Sequence, residues 1–378
     1  AEFSIDVLNG TEYFLTLRAK QRETQGLVEA GWEAAAEQFT LPYFLKAPLV
    51  EVNKFPKVET AETETTVTFT GEGFTVAFDK STGIMTSYKK GEIEYLKLGL
   101  IPDFWRAPTD NDFGNGLDKR SKVWRKAGET RRIKSVKVMQ NGPAARVDML
   151  FDLVNDAGEP IAEYTSVYTV FGSGDVQVNN HFKMTKEGLP EIVRMGMNLI
   201  MPRNFDQISW LGRGPQENYQ DRRTGAFVGL YKMAVADMGY PYVRPQENGN
   251  RTDVRWAAVT DASGNGLLFK GLPLLEVTAH HQIMEDFESP VRTVGRFVDG
   301  EKVINRHVND VKPRDLTSVN VDFKQMGVGG DNSWGARTHD EYRLTAKEYS
   351  YGFLMHPLTA GEDPAEAGKM GIELKPMR

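Results

Sequence analysis

The strongest constraint in this sequence is a period-two alternation of apolar and polar residues, broken at short intervals by glycine and Asn/Asp turns. Tyr13, Leu15 and Leu17 alternate with Phe14, Thr16 and Arg18. Phe74, Val76 and Phe78 alternate with Thr75, Ala77 and Asp79, and Val176 and Val178 with Gln177 and Asn179. Successive side chains of a strand point to opposite faces, so such runs make strands with one face buried. Asn9-Gly10, Ser81-Thr82-Gly83, Asn141-Gly142 and Asp156-Ala157-Gly158 bound them and supply the positive-φ positions that tight hairpins require. Many short strands joined in this way predict an all-β chain of antiparallel sandwiches. Residues 27–39 depart from the pattern. Their Ala/Glu-rich composition suits a helix, Gly26 and Gly31 weaken it, and the residues alone leave a helix and a turn plus strand both open.

Bulk properties narrow the function. The 378 residues suffice for two or three domains. A net charge of -6 with both signs interspersed argues against a nucleic-acid partner. No apolar run approaches the ~18–20 residues that span a bilayer, so no membrane partner is expected. The start has neither a basic nor an apolar leader region and reads as a cut. Without cysteine, thiolate nucleophiles and Cys-type zinc sites are excluded. No phosphate loop, G-x-S-x-G elbow or H-E-x-x-H spacing is present. A Thr-rich, acidic stretch divides the chain into residues 1–52, a linker over 53–64 and a strand-rich remainder over 65–378. The tail after Pro357 is expected to wrap the surface or fray.

Chemistry can sit in four loops. In residues 103–116, Asp110, Asp112 and Gly114 mimic the opening of an EF-hand, but Ser121 stands where its bidentate glutamate should fall. A looser Ca²⁺ or Mg²⁺ site competes there with an Asx turn whose side chains bond their own backbone. The loops 210–222 and 240–253 share Pro-Gln-Glu-Asn, at 215–218 and 245–248. Their aromatic and polar residues suit a sugar, and equally suit a buried network that ties loops to a sheet. In residues 326–335 Gly327, Gly329 and Gly330 let the backbone turn tightly, and Trp334 sits on a stretch too glycine-rich for core. The neighbours His280 and His281 point to opposite faces of a strand and are expected to pack or hydrogen-bond separately.

Four motifs in order, FWRAPTDND (104–112), WLGRGPQENY (210–219), YVRPQENG (242–249) and MGVGGDNSW (326–334), closely resemble the C-terminal region of family 2 glycoside hydrolases of the β-galactosidase type. The resemblance implies a large antiparallel β-supersandwich, galactose mutarotase-like, preceded by the second half of an immunoglobulin-like β-sandwich. It also implies a turn and strand over 27–39. Such enzymes hydrolyse β-galactosides with retention, using two glutamates on a TIM barrel that this chain lacks. No residue here, Glu217 and Glu247 included, is therefore assigned catalysis, and no metal site or cofactor is assigned to the chain. The divalent cation of the parent, Mg²⁺ or Ca²⁺, belongs to the barrel. The implied partners are a β-galactoside and that barrel domain, and a homo-oligomeric parent is compatible with them. By resemblance, Trp334 stacks on the sugar while Asp331 and Asn332 orient its loop. Two alternatives compete. One is an aldose 1-epimerase pairing His280 or His281 with Glu247 or Glu276. The other is a carbohydrate-binding module without a pocket contribution.

Overall fold

A computed structural model describes residues 5–288, 305–332 and 334–373. Two compact units emerge among the described residues, one of residues 5–52 together with 369–373, the other within residues 53–368. The first unit holds an antiparallel hairpin, Phe14–Lys20 with Glu33–Thr40, and a parallel pair, Leu49–Glu51 with Gly371–Glu373. Residues 27–39 are thus a turn and a strand. Gly26 and Gly31 both take positive φ (59° and 90°), which breaks any helix and closes the hairpin instead. Leu17, Trp32 and Phe39 of this unit are exposed.

Among the described residues, the second unit contains two sheets. Strands Glu59–Glu62, Thr66–Gly71, Phe74–Asp79, Ile84–Lys90 and Ile93–Glu94 form a five-stranded meander. The segment read as a linker over 53–64 therefore carries the first of these strands. Alternation holds here: Phe74, Val76 and Phe78 are buried while Thr75, Ala77 and Asp79 are only partly so. The second sheet has twelve strands and is antiparallel throughout. Its long path begins at Arg132–Asn141 and runs through Pro160–Phe171, Glu348–Leu358 and Gly266–His280 to Phe227–Ala234. Side chains from both sheets share one apolar core, in which Phe104 packs against Tyr164 and Phe182 with ring centroids 5.7 and 5.3 Å apart.

The tail does not fray within the described residues. Glu348–Leu358 is a fully paired strand, and a short helix, Pro364–Ala367, buries Ala367 beside Trp256. His356 ties this turn down, with Nδ1 2.8 Å from Asp175 and Nε2 2.8 Å from Glu362.

One feature of the twelve-stranded sheet positions everything that follows. Every residue of the strand Arg194–Met201 is buried, so both of its faces are covered. Met195, Met197, Leu199 and Met201 enter the apolar core. The opposite face is polar. Asp103, Gly196, Asp322 and Glu276 lie abreast across four neighbouring strands, and Ile101, Asn198, Asn320 and Thr278 form the next row. Gly196 is required in the first row, because a Cβ there would stand 1.7 Å from the Asp322 Oδ1.

Candidate functional site

The four loops singled out in the sequence converge on this polar face. Three carboxylates in one row repel one another, and like charges directly opposite on adjacent strands destabilise a sheet. Arg194 answers them. Its Nη1 lies 3.2 Å from Asp103, its Nη2 3.0 Å from Glu247 and its Nε 3.3 Å from Asp322. Burial opposes the Arg194 charge, but Asp322, Glu247 and Asp103 together outweigh it and hold the guanidinium firmly protonated. One cation does not neutralise the whole cluster. Burial pushes the Asp322 carboxyl well above the usual range, raises Glu247, and raises Glu276 to about 7 against hydrogen bonds from Gln220, Asn250 and the Gln325 amide.

Arg106 is the second buried cation. It grips Asp112 through two bonds of 3.0 Å, Nε to Oδ2 and Nη2 to Oδ1. It also donates to the carbonyls of Met326 (2.6 Å) and Gly327 (2.9 Å). Asp112 caps a short helix, Asp110–Gly114: the Thr109 amide donates to its carboxylate, and its own amide donates to Thr109 Oγ1. The carboxylates that mimic an EF-hand are thus engaged by protein groups, since Asp110 meets Arg244 and the Gln246 amide. Thr109 and Asp112 form a reciprocal capping box, so at this helix start the side chains bond their own backbone.

The repeated Pro-Gln-Glu-Asn is a repeated piece of geometry. Asn218 donates through Nδ2 to the Gln216 carbonyl at 3.0 Å, and Asn248 donates likewise to Gln246 at 2.9 Å. The two glutamates then diverge. Glu217 accepts from Tyr242, from Arg222 (2.5 Å) and from the Gly249 amide (2.8 Å). Glu247 turns inward to Arg194 and accepts from Gln325 at 3.1 Å.

The glycine-rich loop is clamped at its stem. Asp221 Oδ2 accepts from the amides of Val328 (2.9 Å) and Gly329 (2.7 Å), and Asn111 donates to the Val328 carbonyl (3.1 Å). Gly327 permits the approach, since a Cβ there would lie 2.6 Å from the Asp221 carboxyl carbon. Beyond the stem, Asn332 Oδ1 accepts from the Trp334 amide at 2.9 Å, and Asp331 meets His339 at 2.8 Å. The Trp334 side chain is 91% exposed.

His280 and His281 have separate partners. His280 Nε2 is 3.1 Å from the Asn248 carbonyl, and burial pushes its imidazole down to about 4. His281 Nδ1 is 3.0 Å from the Leu316 carbonyl. Sequence reasoning missed Arg194, Asp221, Asp322 and Gln325. Asp322 alternates with Val321 and Phe323 in what reads as an ordinary solvent-facing pattern. The signal for Asp221 was its place in the loop 210–222, which the sequence singles out without giving that residue a role.

Comparison with known proteins places these loops in context. Residues 70–355 match the family described as beta galactosidase small chain. A beta-galactosidase of Priestia megaterium is 38% identical over 348 residues, 92% of this chain and 32% of that protein. One from Halalkalibacterium halodurans is 32% identical over 339 residues, 89% of this chain and 32% of its own length. The chain therefore spans about a third of the curated relatives it matches. Among solved structures, a galactose 1-epimerase from Lactobacillus acidophilus aligns with 79% of this chain and 98% of its own, at 9% identity and a TM-score of 0.43.

Proposed function

The chain belongs to the β-galactosidase small-chain family, and from that premise we propose that it is the C-terminal, non-catalytic portion of a retaining β-galactosidase of glycoside hydrolase family 2. The parent hydrolyses terminal β-D-galactosides with two glutamates on a TIM barrel outside this sequence, where its divalent cation is also held. This portion contributes scaffold and one aromatic wall.

The observation that carries the reading is Trp334, an indole 91% exposed on a loop whose stem is fixed by Asp221, Asn111 and Arg106. A large apolar ring held out on a rigid stem suits a platform for the apolar face of a sugar. Asn332 sets the backbone at Trp334, and Asp331 meets His339 beside it. Support for a non-catalytic role comes from the glutamates. A retaining glycosidase needs two available carboxyl groups about 5–5.5 Å apart. Glu217 already accepts three donors, Glu247 is held by Arg194 and Gln325, and Glu276 accepts from Gln220, Asn250 and the Gln325 amide. The same engagement of Glu247 and Glu276 speaks against epimerase chemistry, which needs a free general base.

Two assays test the proposal. The purified chain is expected to show no turnover of an aryl β-galactoside, and robust turnover overturns the non-catalytic role. In the full-length parent, Trp334→Ala is expected to raise KM about tenfold with the melting temperature unchanged, as loss of an aromatic platform predicts. An unaltered KM removes Trp334 from the substrate site.

A further inference from the structure

A hollow of about 380 Å³ lies where the loop 240–248 meets the end of the strand Gly266–His280 and the short helix Met284–Phe287. We propose that it binds a small organic cation of the alkylammonium class. The volume lies within the range of about 300–1,000 Å³ typical of small-molecule sites. Two pairs of aromatic rings line it, Tyr240 with Tyr242 and His280 with Phe287. The Tyr242 amide donates to the Tyr240 carbonyl at 2.9 Å, a three-residue turn that sets the two phenol rings together. Their centroids are 4.6 Å apart with planes inclined at 50°, and those of His280 and Phe287 are 5.0 Å apart at 53°.

The rings are within reach of a ligand. Tyr240 is 57% exposed, and Tyr242, His280 and Phe287 are partly exposed. The face of an aromatic ring is negative, so a weakly hydrated cation is attracted to several such faces at once. Rings inclined to one another suit a rounded, methylated head, whereas a flat ligand needs parallel walls. The Tyr242 hydroxyl donates to Glu217, which fixes that ring.

Charge in the lining has one sign. Asp237 is the single charged side chain there, is exposed, and forms no ion pair among the described residues. His280 carries no charge at neutral pH: desolvation pushes its imidazole down to about 4, against the Asn248 carbonyl and with help from nearby Arg251. Arg251 and Arg194 are themselves buried and lie outside the lining. An anion therefore finds no cationic partner in the hollow. A metal ion needs several oxygens, which one carboxylate does not supply, and no cluster of three metal-ligating side chains exists among the described residues. The hollow shares no residue with the Trp334 loop, so it stands apart from the galactoside reading.

The test is a calorimetric titration of the 378-residue chain with choline chloride, with 3,3-dimethylbutan-1-ol as the uncharged probe of the same shape and sodium chloride to match ionic strength. Saturable, millimolar binding of choline is expected. The alcohol should bind about tenfold more weakly, since only the cation gains from the ring faces. Tyr240→Leu should weaken choline binding about fivefold and leave the melting temperature unchanged, because the ring it removes is largely exposed. Phe287→Leu should weaken binding by about the same factor. Asp237→Asn should weaken it about threefold and reduce its dependence on salt. Trp334→Ala should leave it intact. The proposal is overturned if choline binding does not saturate, if the alcohol binds as tightly as choline, if binding is lost in Trp334→Ala, or if it survives Tyr240→Leu and Phe287→Leu unaltered.

Discussion

Arg194 shows how one side chain makes a sheet face viable. Asp103, Asp322 and Glu276 lie abreast on neighbouring strands, and Glu247 reaches in from a loop above. Removing the cation leaves buried carboxylates without compensation, which typically costs about 3–5 kcal/mol. Arg194→Met is therefore expected to destabilise the protein by that order in urea unfolding, and a loss below about 1 kcal/mol would contradict the role given to it. Glu276 supplies a sign-definite companion test. Its folded pKa is raised to about 7, above the ordinary carboxylate value of 4.5. Below the unfolded value both states are protonated and the folded state carries no penalty. As pH rises, the unfolded chain ionises first, so this contribution to stability is lost between about 4.5 and 7. Glu276→Gln cannot ionise. Its stability relative to the wild type should improve by roughly 3 kcal/mol as pH rises across that window. Thermal melts at pH 4.5 and pH 8 give the difference directly, and a constant gap between the two proteins contradicts the raised pKa.

At the scale of elements, the strands were legible and the covered polar face was not. Alternation in residues 74–79 predicts a strand with one buried face, and that strand is present with that burial. The same alternation in Val319, Asn320, Val321 and Asp322 suggests water on the polar side, yet Asp322 is fully buried. Loops distant in sequence cover it, and periodicity carries no record of what will lie above a strand. Residues 27–39 are left open by composition alone: it suits a helix, the resemblance implies a turn and strand, and the positive φ of two glycines gives the latter. The loops themselves announced that they mattered, through Trp, Pro-Gln-Glu-Asn and glycine runs. Which of their residues would pair was hidden, because Asp221 and Val328 are 107 positions apart. That pairing makes its own prediction. In Asp221→Ala the amides of Val328 and Gly329 lose their acceptor, so their hydrogen-exchange protection should fall by about tenfold or more, the worth of a hydrogen bond to a charged group. Protection of the Gly266–His280 strand should be unchanged. Equal exchange at Val328 and Gly329 in variant and wild type would mean that the clamp does not order the stem.

For the molecule as a whole, the tail decides where the larger unit ends. Residues 53–368 contain both large sheets, the shared core and all four loops. They need no residue outside that range for the contacts described above, so a chain of residues 53–368 is expected to keep the shared core. Ending it at residue 358 is a harsher cut, although no sheet strand is removed. The missing turn holds Glu362 against His356 and lays Ala367 and Gly368 on Trp256, which is almost fully buried. Glu362 and Asp175 hold the His356 imidazole protonated despite its burial, which raises its pKa. That contribution is complete below the ordinary histidine value and is lost as pH rises through the folded one. Uncovering one large apolar side chain costs about 1.5–3 kcal/mol. The 53–358 chain should therefore melt several degrees below the 53–368 chain, with Trp256 emission shifted toward that of a solvated indole, and the gap should narrow as pH rises through the raised His356 value. Coincident melting curves would mean that the last turn merely lies on the sheet rather than sealing it.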